Sequence, residues 1–586
     1  MLKHLYNRIS GILSISNYHL AGLNCRYSQS CPALFSLRNE LKRHIPGCRV
    51  RISQLTINDP YYRTLQRLAA ESGALFFSVY IWNHQYISRL LGDLARLHPL
   101  RPLIIGGPQA ANLENLPVRC TRIDGEVEAI PADFYRDLRT GNLRPLYRAG
   151  PAGSFAAPYR PEDFAGHLRD RYIYYESSRG CPFGCSYCLS ASSRGVRYKE
   201  TTLVRAELEM ILSHSPRLVK FVDRTFNDRP ERALEIWRFL VGSAGKTRFH
   251  FEIAPDGFNE EMLAFLETVP LDLFQFEIGI QSTNAETLRA INRRMDVERA
   301  LATIAALAAF DNIHLHVDLI LGLPMENGDS FLNSFNRVFN QRPHQIQMGL
   351  LKVLPGTPMS RRAREFGLLY CGQPPYEILA TAHLSPQEIA RLHLFGVCVE
   401  AFYNTRFFNS FWEYLRRHNE DAGRFFMALT DECRYHDFFN RAPTQQLMAE
   451  ILTALIATRP DSGLVREILR FDWLRSGNRH LPHFLISGSP APDGNLRRAL
   501  RRRLPLNLPG YYTYQTREEF FKRHRFAEFS AAALAELGLD DCGGSRYLCF
   551  SRETGSTVMK HGRVHLLPPE PDDGSEAGSA AGLQIP

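Results

Sequence analysis

Two series of alternating patterns divide the chain. Over the first 150 residues, short apolar runs occupy 11–20, 49–57, 74–82 and 101–107. Between them lie stretches at 32–45, 61–70 and 86–97 whose apolar residues recur near every 3.6 positions, the spacing of a helix with one buried face. Strand, helix, strand, helix with short connections predicts a parallel sheet covered on both faces. In such a doubly wound, Rossmann-like α/β domain the ligand crevice lies at the carboxyl ends of the strands. Those ends are the loops at 24–30, 82–84, 106–109 and 125–128. A stretch rich in Gly, Pro, Ala and Arg follows at 139–161 (RTGNLRPLYRAGPAGSFAAPYRP), with the turn chemistry of a linker.

A second series starts at Tyr172, with apolar segments YIYYES, LVKFV, RFHFEI, LFQFEIGI, IHLHVDLIL and QIQMGLLKV. Helical spacing at 203–213, 230–241, 259–266 and 297–310 separates them. Six βα units predict a partial (β/α)6 barrel, whose chemistry should sit where the strands end. Polar residues gather there, at 223–227, 277–282 and 318–326. Beyond 370 the pattern turns mainly helical (385–400, 409–418, 444–457), with a small sheet expected from 511–514, SRYLCFSR and GRVHLL. The resulting division is a Rossmann-like domain at 1–138, a linker at 139–165, a barrel at 166–370, a mainly helical region at 371–567, and a tail at 568–586 whose Gly, Ala, Ser, Pro and acidic residues predict disorder.

Composition narrows the class. With 44% hydrophobic and 22% charged residues among 586, the chain is neither a disordered polymer nor a small disulfide scaffold. No apolar run approaches the roughly 18–20 residues of a membrane span, and MLKHLYNRIS lacks the apolar centre of a secretory signal. A soluble, cytoplasmic protein is the expectation, with no membrane partner. The net charge of +9 is mild for this length. Its densest patch, Arg497, Arg498, Arg501, Arg502 and Arg503, reads as a solvated helix end, so nucleic acid is not an expected partner. Twelve cysteines in a reducing compartment are thiols or metal ligands rather than disulfides.

Three of those cysteines carry the sharpest signal. CPFGCSYC puts Cys181, Cys185 and Cys188 in one short loop directly after the first barrel strand. Three thiolates from one tight loop suit a soft metal or an iron–sulfur cluster. Closed structural zinc is the alternative, but it needs a fourth ligand that no nearby Cys or His supplies. Other polar residues have plainer readings: Asp223 and Arg224 as a strand-end ion pair, Gln281 and Ser282 as a helix cap, Glu326 as another cap, and His250, His314 and His316 as packed histidines.

The CxxxCxxC loop after the first strand of a partial barrel resembles the radical S-adenosylmethionine (SAM) superfamily. More closely, the chain is similar to bacterial proteins that join an N-terminal cobalamin (B12)-binding domain, a radical SAM barrel and a C-terminal domain of unknown function. The likeness runs through NCRYSQSCPAL, FSVYIWN, IIGGPQ, DGEVE, YYESSRGCPFGCSYCLS, KFVDRTFN, HFEIAPDGF, FQFEIGIQST, HVDLILGLPMEN, LKVLPGT, PPYE, FYNTRFF and FDWLRSG, over roughly residues 12 to 480.

By that resemblance, Cys181, Cys185 and Cys188 ligate a [4Fe-4S] cluster whose open iron chelates SAM. The SAM contacts fall on Val222, Asp223, Arg224 and Thr225 at the end of strand two, on Glu277, Gln281, Ser282 and Asp318 at the ends of strands four and five, and on the turn starting at Gly322. The loop at 354–357 borders the adenine. Reductive cleavage of SAM then yields a 5′-deoxyadenosyl radical, with the electron coming from a donor such as flavodoxin or ferredoxin. Cobalamin lies over the N-terminal loops, against Asn24, Ser28, Tyr80, Trp82, Gly106, Gly107, Gly125 and Glu126. No Asp-x-His occurs in the chain, which excludes the ligation mode in which a histidine replaces the nucleotide base on cobalt. Val127 stands where related sequences have glycine.

The resulting expectation is a cobalamin-dependent radical SAM methyltransferase acting on an unactivated carbon of an unknown small-molecule or peptide substrate. A cobalamin-independent radical SAM enzyme with a vestigial N-terminal domain is the first rival. A non-catalytic iron–sulfur binding or assembly protein is the second. A methylthiotransferase would need a second cluster from Cys25, Cys31, Cys48 and Cys120, which do not converge at strand ends. The aromatic stretch Phe402, Tyr403, Phe407, Phe408, Phe411 and Trp412 reads as core packing or, alternatively, as a cover over the barrel mouth.

Overall fold

The computed structural model describes residues 17–192, 195–478, 480–486, 522, 524–539, 547–554 and 562–566. The arginine patch at 497–503, the segment 511–514, and the tail at 568–586 lie outside the described residues. No helix among the described residues is long and apolar enough to cross a membrane.

The first sheet contains β1 (Asn17–Asn24), β2 (Arg49–Thr56), β3 (Ala74–Ser78), β4 (Leu103–Gly106), β5 (Cys120–Asp124) and β6 (Leu146–Arg148), in the order β2-β1-β3-β4-β5-β6. Every pairing in it is parallel. β1 and β3 are buried on both faces, as the interior strands of a covered parallel sheet must be. Helices Pro32–His44, Tyr61–Ala69 and His84–Leu97 supply the covering layers, the last burying Ile87, Leu90, Leu91 and Leu94. The strand order reverses between β1 and β3, so the loops after these two strands open onto one crevice.

Within this sheet, the sequence reading departs from the structure at its far edge. Cys120 opens β5 instead of lying outside any strand, and β6 sits inside the stretch read as a linker. β6 has only three residues at a sheet edge, too few to display a period in its side chains.

β7 (Ile173–Tyr175) begins the second series. β8 (Ser178–Gly180) and β9 (Val196–Tyr198) form a separate antiparallel pair. β10 (Leu218–Phe221), β11 (Arg248–Ile253), β12 (Phe274–Gln281), β13 (His314–Leu321) and β14 (Gln345–Leu350) continue a second six-stranded sheet, in the order β14-β13-β12-β11-β10-β7. The expected six-stranded partial barrel series is therefore present. β12 and β13 alternate strictly: Phe274, Phe276, Ile278 and Ile280, with Leu315, Val317, Leu319 and Leu321, are buried. Gln275, Glu277, Gln281, His314, His316 and Asp318 occupy the alternate positions, a period-2 pattern that assigns one face to packing and the other to polar groups.

Backbone contacts divide the chain into two compact units. One comprises residues up to 262 with 291–293 and 351–379, and the other the remainder. The C-terminal helices belong to the second unit. There Ser385 caps helix Pro386–Cys398 and Glu388 answers it, completing a capping box. Phe402, Tyr403, Phe408, Phe411 and Trp412 are buried, and Trp412 stacks on Phe426 with ring centres 4.9 Å apart. The aromatic stretch is thus core packing. β15 (Leu369–Tyr370) pairs with β16 (Ile378–Ala380), and β17 (Arg525–Glu528), β18 (Tyr547–Thr554) and β19 (Gly562–Leu566) form the small sheet expected near the C-terminus.

Candidate functional site

The cysteine loop is closed at its base by β8 and β9. Ser178 faces Tyr198, Arg179 faces Arg197 and Gly180 faces Val196, so the strands that bracket the cysteine loop are paired at its base. Gly180 has φ of 111°, and a Cβ there would collide with the carbonyl oxygen of Gly195. The Gly180→Ala variant should therefore lose about 1–3 kcal/mol of local stability, read as faster proteolytic cutting within 181–195; unchanged cutting would contradict this account of the clamp.

Within the loop, the Cys188 amide donates to the Cys185 carbonyl (3.1 Å). Segment 291–293 braces it from the side: the Ser186 amide donates to Ile291 O (2.8 Å), Asn292 Nδ2 to Gly184 O (2.8 Å), and Arg293 Nη1 to Cys185 Sγ (3.6 Å). Cys181 Sγ lies 3.5 Å from Thr225 Oγ1. Burial pushes the Cys181 thiol up, partly offset by the Thr225 hydroxyl. No three His, Cys, Asp or Glu side chains among the described residues converge as ligands of a single ion do. Thiolates that each bind a different iron of a cluster have no need to meet at one point. An all-sulfur donor set with a guanidinium on one sulfur and a hydroxyl near another fits an iron–sulfur cluster.

The end of β10 adjoins this loop. Asp223 is buried and accepts from the Ser177 amide (3.0 Å), Ser177 Oγ (2.6 Å) and Ser178 Oγ (2.6 Å), so it ties β10 to the start of β8. It makes no ion pair with Arg224, whose guanidinium stands 3.9 Å from Glu252. The Val222 amide donates to Tyr175 O and Thr225 Oγ1 to Arg224 O.

In the second unit, Gln281 has φ of 70° at a register shift on β12, strain of the kind found at binding sites. β12 and β13 bring Glu277 opposite His316 and Gly279 opposite Asp318. Gly322, with φ of 82°, opens the turn leading to Glu326. Ser282 Oγ donates to Glu326 Oε1 (2.6 Å) and accepts from the Asn284 amide (3.0 Å). The next helix, Gly328–Phe339, is capped by Asn327 with Ser330, so Glu326 is not its cap. Glu326 is fully buried and its Oε2 has no hydrogen-bond partner among the described residues. Burial pushes its carboxyl up to about 8, against a smaller opposing effect of Ser282. The folded state thus holds a proton that the unfolded chain releases near its ordinary value of 4.5. The associated stability is present in full below that value and is lost as pH rises towards about 8. Thermal unfolding should show a decline over this interval, and Glu326→Gln should flatten it by a few kcal/mol; an equally steep decline in the variant would contradict the assignment.

In the first unit, a cavity of about 700 Å³ lies over the carboxyl ends of the first sheet. All four loops singled out from the sequence reach it. Of the eight residues expected against cobalamin, Asn24, Tyr80, Trp82, Gly106, Gly107, Gly125 and Glu126 line it. Ser28 does not line it, and its carbonyl instead accepts from the Tyr172 amide (2.7 Å). Asn24 is turned inward, donating to Gln29 O and Gln54 Oε1. Tyr80 and Trp82 stack at 4.4 Å with planes 5° apart, giving the cavity a flat aromatic wall. Tyr175, Glu176, Arg179, Lys199, Val222 and Arg224 add to the lining from the second series. A concave, largely apolar chamber of this volume fits a large planar cofactor better than an ion or a small polar metabolite.

Sequence reading missed Arg179, Arg197 and Arg293. The first two flank the cysteine loop within SRGC and GVRY, and position beside the motif was the only available signal.

A model of the radical SAM superfamily matches residues 175–338, and one described as protein of unknown function (DUF4080) matches residues 364–536. Among curated proteins, 2-(S-pantetheinyl)-carbapenam-3-carboxylate methyltransferase of Streptantibioticus cattleyicolor is 25% identical over 341 residues, covering 50% of each chain. The cobalamin-dependent radical SAM methyltransferase TokK of Streptomyces tokunonensis is 25% identical over 343 residues, covering 51% of this chain and 50% of TokK. The chain therefore spans about half the length of these curated relatives. In fold it is similar to the cobalamin-dependent S-adenosylmethionine radical enzyme OxsB, solved with aqua-cobalamin and S-adenosylmethionine bound. The TM-score is 0.56 and the identity 14%, over 86% of this chain and 82% of that one. The cysteine loop thus lies inside the segment that matches the radical SAM superfamily, and a segment matching DUF4080 follows it.

Proposed function

We propose that this protein is a cobalamin-dependent radical SAM enzyme that transfers a methyl group to an unactivated carbon. One observation carries the reading: a cofactor-sized cavity over the Rossmann-like strand ends is completed by Val222 and Arg224, immediately beside Thr225 and the loop of Cys181, Cys185 and Cys188. Two curated relatives named as methyltransferases support the reaction class.

In this reading the three cysteines hold a [4Fe-4S] cluster, which supplies one-electron reductive cleavage of SAM, while cobalamin supplies methyl-carrying chemistry. The chain's own residues do the positioning. Asp223 ties the end of β10 to the start of β8, where Val222 and Thr225 would hold the SAM amino group. Arg293 donates to the Cys185 sulfur and so helps to orient it. We assign the SAM ribose and carboxylate contacts to Glu277, Gln281, Ser282 and Asp318, and the adenine border to the turn at Gly322. The Tyr80–Trp82 stack offers a corrin a flat, water-excluding wall. We read residues 1–138 as the cobalamin domain, 166–370 as the radical SAM domain and 371–567 as the C-terminal domain, in a cytoplasmic enzyme reduced by a flavodoxin or ferredoxin.

The test is product accounting. Anaerobic protein given SAM, cobalamin, a reductant and candidate substrates should yield S-adenosylhomocysteine and 5′-deoxyadenosine together. 5′-Deoxyadenosine alone, undiminished without cobalamin, would favour the cobalamin-independent rival.

A further inference from the structure

Between the cavity and the cysteine loop runs a chain of ion pairs that neither cofactor accounts for. Arg179 and Arg197 are cross-strand partners at the base of the loop, on β8 and β9. Both reach the loop that follows β5 in the Rossmann-like domain. Arg179 Nη1 donates to Glu126 Oε2 (2.6 Å) and to Glu128 Oε2 (3.2 Å), while its Nε and Nη2 grip Glu176 (3.0 and 2.7 Å). Arg197 donates to both oxygens of Glu126 and to the Ala152 carbonyl. The Ala152 amide closes the ring, donating to Glu126 Oε2 (3.0 Å).

Glu126 is therefore saturated. Burial alone would push its carboxyl up, but Arg197, the Ala152 amide and Arg179 outweigh that and hold it at about 2, ionised at any working pH. Although it lines the cavity, its oxygens are committed to the two arginines and leave little to offer a ligand. Two guanidiniums sharing one carboxylate through several donors form a stiff joint, because a planar fork restricts both distance and angle. These groups are all partly shielded from water, so solvent screens the joint less than an exposed pair.

We infer that Glu126 is a positioning residue of the cluster site. It holds Arg179 and Arg197 across the β8–β9 clamp and so fixes the loop bearing Cys181, Cys185 and Cys188, from a different domain and 55 positions before the first of them. The inference rests on the proposed cluster for its consequence in the loaded enzyme, but the clamp itself is testable without it.

The experiment uses the full-length chain as Glu126→Gln, with Arg197→Lys and, as a control, Asp133→Asn, which disturbs a pair with Arg144 elsewhere in the same domain. In metal-free protein, amide exchange within 181–195 should quicken about tenfold in Glu126→Gln while β1 and β3 keep their protection. In reconstituted protein, iron loss to a chelator should quicken by a similar factor and the electron paramagnetic resonance line shape of the reduced cluster should change. Arg197→Lys, which keeps the charge but not the fork, should fall between, and Asp133→Asn should match the unaltered chain. Exchange and iron loss within twofold of the unaltered chain would overturn the inference, as would loosening spread evenly over the Rossmann-like domain. Faster exchange confined to 181–195 in a protein that takes up no iron would uphold the clamp and refute the cluster reading instead.

Discussion

Cys185→Ala should abolish iron binding at the candidate cluster site and reduce 5′-deoxyadenosine formation about 10³-fold or more, equivalent to roughly 4 kcal/mol of barrier. Cys185 is the buried member of the three and the one whose sulfur accepts from Arg293. Its removal leaves two thiolates to hold a cluster that needs three, and leaves Arg293 aimed at a methyl group. The loop itself should persist, since its closure rests on β8, β9 and the 291–293 brace rather than on metal. Iron and sulfide assays, with chromatography of the SAM products, check the outcome; circular dichroism separates cofactor loss from unfolding. A variant that still cleaves SAM at the original rate would remove these cysteines from the chemistry.

Gly106→Leu should weaken cobalamin binding at least about tenfold, or 1.4 kcal/mol, while leaving iron content unchanged. Gly106 ends β4 on the cavity wall, and a Cβ there meets only Ile123 O at 3.6 Å, so a larger side chain can be carried without distorting the strand. The neighbouring glycine gives no such probe. Gly107 has φ of 100°, and its Cβ would press on the carbonyl of Val79 at 2.8 Å, so a substitution there tests the turn rather than the cavity. An anaerobic absorbance titration with hydroxocobalamin reads the affinity. Equal affinity in Gly106→Leu and the unaltered chain would move cobalamin out of this cavity.

Much of this architecture was legible in the order of residues because burial imposes a period. Strands β1 to β4 and β10 to β14 announce themselves by apolar runs between helical stretches, and the helix Val297–Phe310 has the bounds its spacing predicts. The cysteine loop was legible for a different reason: three ligands to one cofactor must be close in sequence when one loop supplies them. Short elements left no such trace. β6 has three residues, and β8 and β9 have three each, so no period could reveal the clamp. The ionic joint at Glu126 is set by partners 53 and 71 positions away, and only folding brings those distant charges together. Glu326 shows the same limit: a carboxylate before Asn327 looks like a helix cap until burial removes its water and leaves Ser282 as the donor it has.

The most direct test is one anaerobic preparation from cells supplied with cobalamin, desalted and assayed for iron, sulfide and cobalamin on the same sample. About four irons, about four sulfides and one retained cobalamin per chain are expected. Four irons without cobalamin would contradict the assignment of the cavity and favour a radical SAM enzyme that works without it. Zinc in place of iron would contradict the radical chemistry altogether.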